Sequence, residues 1–129
     1  MTHEFKLRIY YEDTDLAGVV YYANYLKFIE RARTEYVRAL GIDQIGLKEN
    51  EGIVFAVRRI EADYLAPARF DDELQVKTKT EALSGARIVL KQEVVRDGTV
   101  LFSAYVTLVA LDDAGRPARL PAIIRRLLH

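Results

Sequence analysis

The chain contains no cysteine, which excludes disulfides, thiolate metal sites and a cysteine nucleophile. Its two histidines, His3 and His129, stand at opposite ends of the sequence. A catalytic imidazole, a Ser-His-Asp triad and a histidine zinc centre are therefore not expected. Serine is scarce as well: Ser84 and Ser103 are the only two, and neither lies in a G-x-S-x-G context. No charge of either sign is in excess, with 19 Lys+Arg against 19 Asp+Glu. Without a global basic field, neither nucleic acid nor an anionic membrane is an expected partner. No apolar run approaches the roughly 20 residues of a membrane span. The opening MTHEFKLRIYYED lacks the apolar stretch of a secretory signal, so the cytoplasm is the expected location. Chemistry is left to carboxylates, tyrosines, arginines and the backbone, and no metal or cofactor is expected.

What is present describes one soluble domain. The 129 residues are 50% hydrophobic and 29% charged, enough for a core without covalent staples. Residues 5–11 alternate apolar and polar, predicting a half-buried strand. Residues 12–18, EDTDLAG, predict a polar turn. From about Tyr22 to Leu40, Tyr22, Tyr25, Leu26, Ile29, Ala32, Tyr36 and Leu40 recur at steps of three and four, the spacing of one helix face. Gly41 stands where a left-handed cap would end that helix. A short helix is expected near 43–50. Strands follow at 53–65, stopped by Pro67, then at 73–82, 88–96 and 100–111, with turns at Ser84-Gly85 and Asp97-Gly98. Residues 121–128 close with a short helix. The expected class is α+β: one long amphipathic helix on an antiparallel meander, with the last long strand interior and a second subunit helping to cover the sheet.

The densest candidate site is YEDTDLAGVVYYANY, residues 11–25, which joins a strand to the long helix. Carboxylates crowd the turn, and helix N-terminal amides with no intrahelical acceptor follow directly. Such amides suit a developing oxyanion, and a nearby carboxylate can attack or deprotonate water. Gly18 lets backbone approach a ligand. The plainer reading makes Asp13 and Asp15 turn and helix-capping residues. A calcium loop does not fit, because Ala17 and Asn24 fall where ligands are needed. Arg58 and Arg59 would point to opposite faces of a strand, as solvated or interface charges. Arg87 beside Ser84-Gly85 could hold a phosphate or be a strand-end charge. The tyrosines Tyr10, Tyr11, Tyr21, Tyr22 and Tyr25 read first as core and interface.

The stretch YYEDTDLAGVVYYANYLKFIERARTEYVRALG resembles the hotdog-fold acyl-CoA thioesterases, above all the Tol–Pal system-associated branch and the related 4-hydroxybenzoyl-CoA thioesterases. APARFDDEL, residues 66–74, is similar to the family's second signature. The resemblance spans essentially the whole chain. It implies a long central helix wrapped by a five-stranded antiparallel sheet, and subunits paired through their sheets into homodimers and homotetramers with active sites at the interface. It makes Asp15 the catalytic carboxylate, as nucleophile or general base, and the Tyr22 backbone amide the oxyanion donor. Gly18, Val19 and Tyr25 near the helix end, with Ser84 and Arg87 at the strand turn, become the expected substrate contacts. The substrate it implies is acyl-CoA or acyl-ACP, the acyl carrier protein form; Leu26, Ile29 and Phe55 are candidates for an acyl pocket or, equally, for the core. That branch commonly carries a histidine after V-V-Y; here Tyr22 leaves the work to the backbone. The basic tract of the benzoyl-CoA relatives reads LSGAR here, with one charge. Two other readings keep the scaffold without this activity: a non-catalytic acyl-thioester or carrier-protein binding module, and a structural member of an envelope or lipid-synthesis complex.

Overall fold

The computed structural model describes residues 1–128, and His129 lies outside them. The first strand, β1 (His3–Arg8), turns Phe5 and Leu7 toward the core. It is shorter than the expected 5–11. The Asp13 carboxylate accepts the Tyr10 amide at 2.8 Å, and this local bond folds Tyr11–Asp13 into a single 3-10 turn.

Helix α1 (Asn24–Ala39) buries Tyr25, Phe28, Ile29, Ala32 and Tyr36. It begins two residues later than Tyr22, because Tyr22 and Ala23 form a turn closed by the Asn24 amide donating to the Tyr21 carbonyl at 2.9 Å. Phe28 joins the buried face, whereas Leu26 and Tyr22 are 40% and 61% exposed. At the other end Gly41 is left-handed (φ +86°), the Gly41 amide donates to Arg38, and the Ile42 amide reaches back to Val37 at 3.1 Å. That pair of bonds satisfies carbonyls the helix leaves open. Helix α2 (Gln44–Glu51) follows, capped by Asp43, whose side chain accepts the Gly46 amide.

Five antiparallel strands wrap α1 in the order β1-β3-β4-β5-β2: β2 (Val54–Tyr64), β3 (Glu73–Leu83), β4 (Arg87–Arg96) and β5 (Thr99–Leu111) complete the set. A two-residue β6 (Pro117–Ala118) pairs with the end of β5, and α3 (Ala122–Leu128) closes the structure. The meander holds for β3, β4 and β5. It fails at β2, which does not neighbour β3 but lies at the far edge, with Val54 opposite Leu111 and Tyr64 opposite Phe102. The connection from β2 back to β3 is anchored where the Leu65 and Ala66 amides both donate to the Leu101 carbonyl.

Register shifts in the sheet centre on Arg58, Glu81 and Leu101. Each inserts a residue, kinks its strand and raises the local twist, which lets a sheet curl round one helix. At Arg58 the bulge cancels the simple alternation, and Arg58 and Arg59 are both exposed. Alternation along β3 buries Leu74, Val76 and Thr78 as expected and ends at the Glu81 bulge, where Ala82 is exposed. The core lies between α1 and the sheet, and contains one polar knot. Gln92 Nε2 donates to the Ile29 carbonyl and to Thr78 Oγ1, both at 2.9 Å, while its Oε1 accepts from Arg33 at 3.1 Å.

Candidate active site

Residues 13–21 fold into a tight hairpin. The Asp13 carbonyl accepts the Tyr21 amide, and the Asp15 amide donates to the Val19 carbonyl, each at 2.9 Å. The loop closes as the Gly18 amide donates to the Asp15 carbonyl at 3.0 Å. Gly18 adopts φ +81°, a conformation that an L side chain rarely tolerates, so the turn itself requires glycine there. The hairpin docks on the 66–74 segment: Val19 bridges Arg69, and the Val20 amide donates to the Ala68 carbonyl at 2.8 Å.

The two aspartates of D-x-D do different things. Asp13 is a structural cap for the 3-10 turn, through the Tyr10 amide. Asp15 is exposed; its Oδ1 accepts the Ala17 amide at 2.9 Å and the Val19 amide at 3.4 Å, and its Oδ2 has no protein partner among the described residues. Neither caps α1, whose N-cap is Ala23, without any side-chain bond. The Tyr22 amide, at the junction of hairpin and helix, donates to no protein acceptor among the described residues. One hairpin thus bears a free carboxylate oxygen near its tip and a free backbone N–H where it runs into the helix.

Partly exposed aromatic rings border the hairpin–helix junction. Tyr21 and Tyr22 stand 4.9 Å apart, and Tyr22 meets the edge of Tyr64 at 6.2 Å. The Tyr21 hydroxyl is raised above the usual phenol range by its hydrogen bond with Tyr22, then by the charge of Tyr22, desolvation and the negative charge of Asp15. Asp15 thus makes itself felt at the tyrosine pair. Tyr25 is buried at 3% exposure, stacked on Phe102 at 4.9 Å, and its hydroxyl accepts the Ala68 amide at 3.1 Å. Burial pushes that hydroxyl up as well. Within the protomer, Tyr25 and the Val19 backbone serve the framework.

Ser84 and Arg87 stand elsewhere. Asp15 lies at the end where β3 begins, and Ser84 follows its last residue, 11 residues on. At 3.3 Å per residue those ends are about 33 Å apart. Ser84 Oγ accepts the Arg87 amide at 3.1 Å and the Ala86 amide at 3.4 Å, which makes the tight turn. A feature the sequence reading missed gathers here. A surface hollow is lined by Ser84, Gly85, Arg125 and Arg126, and the Arg119 guanidinium stands over Gly85. None of Arg87, Arg119, Arg125 or Arg126 belongs to an ion pair among the described residues. Arg119, Arg125 and Arg126 reach the Ser84-Gly85 turn because the Leu120 amide donates to the Gly85 carbonyl at 2.8 Å, a contact no sequence spacing reveals.

Of the acyl-pocket candidates, Phe55 lines a cavity of about 250 Å³ between α1, β2, β5 and α3. Ile29 is fully buried core, and Leu26 faces outward. Among the described residues no three His, Asp or Glu side chains converge as metal ligands.

A family model described as the Thioesterase-like superfamily matches residues 10–128. Acyl-CoA thioesterase YbgC of Haemophilus influenzae is 41% identical over 127 residues, covering 97% of this chain and 93% of that protein. The crystal structure of a probable thioesterase from Bartonella henselae superposes with a TM-score of 0.89 at 38% identity, covering 94% of this chain and 100% of the other. A 4-hydroxybenzoyl-CoA thioesterase mutant, an aspartate-to-asparagine variant complexed with 4-hydroxybenzoyl-CoA, superposes at a TM-score of 0.93 and 23% identity over 99% of both chains. At that identity the likeness concerns the fold.

Proposed function

This chain belongs to the Thioesterase-like superfamily and has its hotdog fold, and on that premise we propose that it is an acyl-CoA thioesterase with Asp15 and the Tyr22 amide at its reacting centre. The observation that supports the site assignment is the hairpin, which carries an unpartnered Asp15 Oδ2 near its tip and leads into the unpartnered Tyr22 N–H at its base.

The chemistry suits a site without imidazole. A thioester expels a thiolate, and thiols ionise near ~8.5, so the leaving group needs little protonation. What remains is a nucleophile and a place for negative charge. Asp15 Oδ2 either adds to the thioester carbonyl, giving a mixed anhydride that water then opens, or takes a proton from the attacking water. The Tyr22 N–H receives the carbonyl oxygen as it gains charge, a contact of the kind whose loss raises a barrier by about 3–4 kcal/mol.

The site is open in one protomer, and β2 suggests what closes it. Its 11 residues are mostly exposed and form an unpaired edge, a feature that soluble proteins seldom leave bare. Two copies joined antiparallel along this edge about its centre would set Val54 of one beside Tyr64 of the other. Arg87, Val109 and Ala56 share one row across the sheet. The same pairing therefore carries the arginine hollow of one copy to the end of the joined sheet that holds Asp15 of the other. We assign that hollow to the phosphates of the CoA nucleotide, a placement the tetrameric form of the reading would share and the carrier-protein form, which has no such nucleotide, would not.

The test is thiol release from a panel of short, long and aromatic acyl-CoAs, with acyl-ACP alongside. Asp15→Asn should lower turnover by at least about a hundredfold without lowering the melting temperature, because asparagine can still accept the Ala17 amide. Full activity in Asp15→Asn would overturn the site assignment. Hydrolysis in heavy-oxygen water separates the two routes, since label entering Asp15 itself marks the anhydride. The second reading, a non-catalytic acyl-thioester binder, is favoured by the turn-forming bonds of Asp15 Oδ1. It predicts binding with no thiol released from any substrate.

A further inference from the structure

We propose that Asn24 and Tyr64 are positioning residues that clamp the two peptide groups flanking Tyr22 and so aim its N–H at the substrate carbonyl. This rests on the thioesterase reading and goes beyond it. The N–H of Tyr22 belongs to the same planar peptide group as the carbonyl of Tyr21. In a trans peptide these two point in opposite directions. The Asn24 amide donates to the Tyr21 carbonyl at 2.9 Å, so Asn24 fixes the back of the group and thereby directs its front. The Asn24 side chain adds a second tie: Nδ2 donates to the Asp13 carbonyl at 2.9 Å, the same oxygen that accepts the Tyr21 amide at 2.9 Å. One residue thus holds both strands of the hairpin and the donor peptide together.

Tyr64 secures the other side. Its hydroxyl donates to the Tyr22 carbonyl at 2.9 Å, from a strand 42 residues further along the chain. Its ring is wedged between Tyr25 at 5.6 Å and Phe102 at 5.0 Å, both edge-on, so the hydroxyl is carried by a fixed aromatic body. A phenol is protonated at neutral pH and so can donate; burial, then the neighbouring Tyr22, raise this hydroxyl further. With peptide groups held on both sides, Tyr22 cannot rotate its N–H away without breaking a bond to one of the two residues. An amide already oriented costs no reorganisation when charge develops on the substrate oxygen.

The experiment is steady-state thiol release by the full chain, comparing wild type, Tyr64→Phe and Asn24→Asp, with melting temperatures recorded. Tyr64→Phe removes one oxygen and keeps the ring packing. Asn24→Asp keeps the shape and the backbone donor but loses Nδ2. The inference expects kcat to fall about tenfold or more in each, with KM within about twofold and Tyr64→Phe melting as the wild type does. If Asn24→Asp does not fold, Tyr64→Phe decides alone. Wild-type kcat in Tyr64→Phe, or a change confined to KM, overturns the clamp and leaves the thioesterase reading standing. A wild type that releases no thiol from any acyl-CoA overturns both.

Discussion

Asp72 ties the segment on which the Asp15 hairpin docks to the end of β4. Burial alone would raise its carboxyl. The Arg69 amide at 2.8 Å and the Arg96 guanidinium at 2.7 Å outweigh that and hold it below the usual carboxylate range. A carboxyl lowered in the folded state stabilises the fold above its unfolded value, about 3.8, and that contribution disappears as pH falls through the folded value. We expect urea denaturation to show stability dropping below about pH 4, and Asp72→Asn to flatten that acid limb. An unchanged limb would place the titration elsewhere. The sequence showed that acids crowd the 12–18 turn, but not how they divide the work. Asp13 and Asp15 look equivalent in D-x-D. They differ because one reaches back to the Tyr10 amide and the other forward to Ala17, a distinction set by the 3-10 turn. Tyr64 offered no signal at all, since its role depends on a strand pairing that places Phe102 beside it.

At the scale of elements, helix α1 was the most legible, and its errors are instructive. The three-and-four spacing found Tyr25, Ile29, Ala32 and Tyr36, and Gly41 marked the end. The spacing points Leu26 inward and does not mark Phe28, because both positions lie near the boundary of the apolar face, where periodicity alone does not decide. The energetic consequence can be measured. Ile29 is 0% exposed, so Ile29→Ala should cost about 2–5 kcal/mol in urea unfolding. Leu26→Ala, at 40% exposure, should cost under about 1 kcal/mol. Equal losses at the two positions would contradict this helix orientation. The strands were legible to within a residue or two at most ends, but the bulges were not. An inserted residue such as Arg58 is recognisable only against a partner strand, and a single sequence does not contain the pairing.

At the scale of the whole molecule, strand identity was readable and strand order was not. β2 lies beside β5 because of a crossing connection, and hairpin signals report only neighbours in the chain. That crossing leaves β2 at the edge. If two copies join there, the outward amides of β2 acquire acceptors and exchange slowly with solvent hydrogen. Rapid exchange of those amides at micromolar concentration, with a monomer in light scattering, would remove the proposed joint. The same topology sets a timetable during synthesis. β1 pairs only with β3, with His3 opposite Thr78, so this strand leaves the ribosome and waits for about seventy further residues before it finds a neighbouring strand. The hairpin that bears Asp15 waits with it, because its docking ground at residues 66–72 is translated in the same late stretch. A ribosome stalled between residues 25 and 66 holds a chain that already contains both Asp15 and Tyr22 and yet lacks the segment against which their hairpin docks.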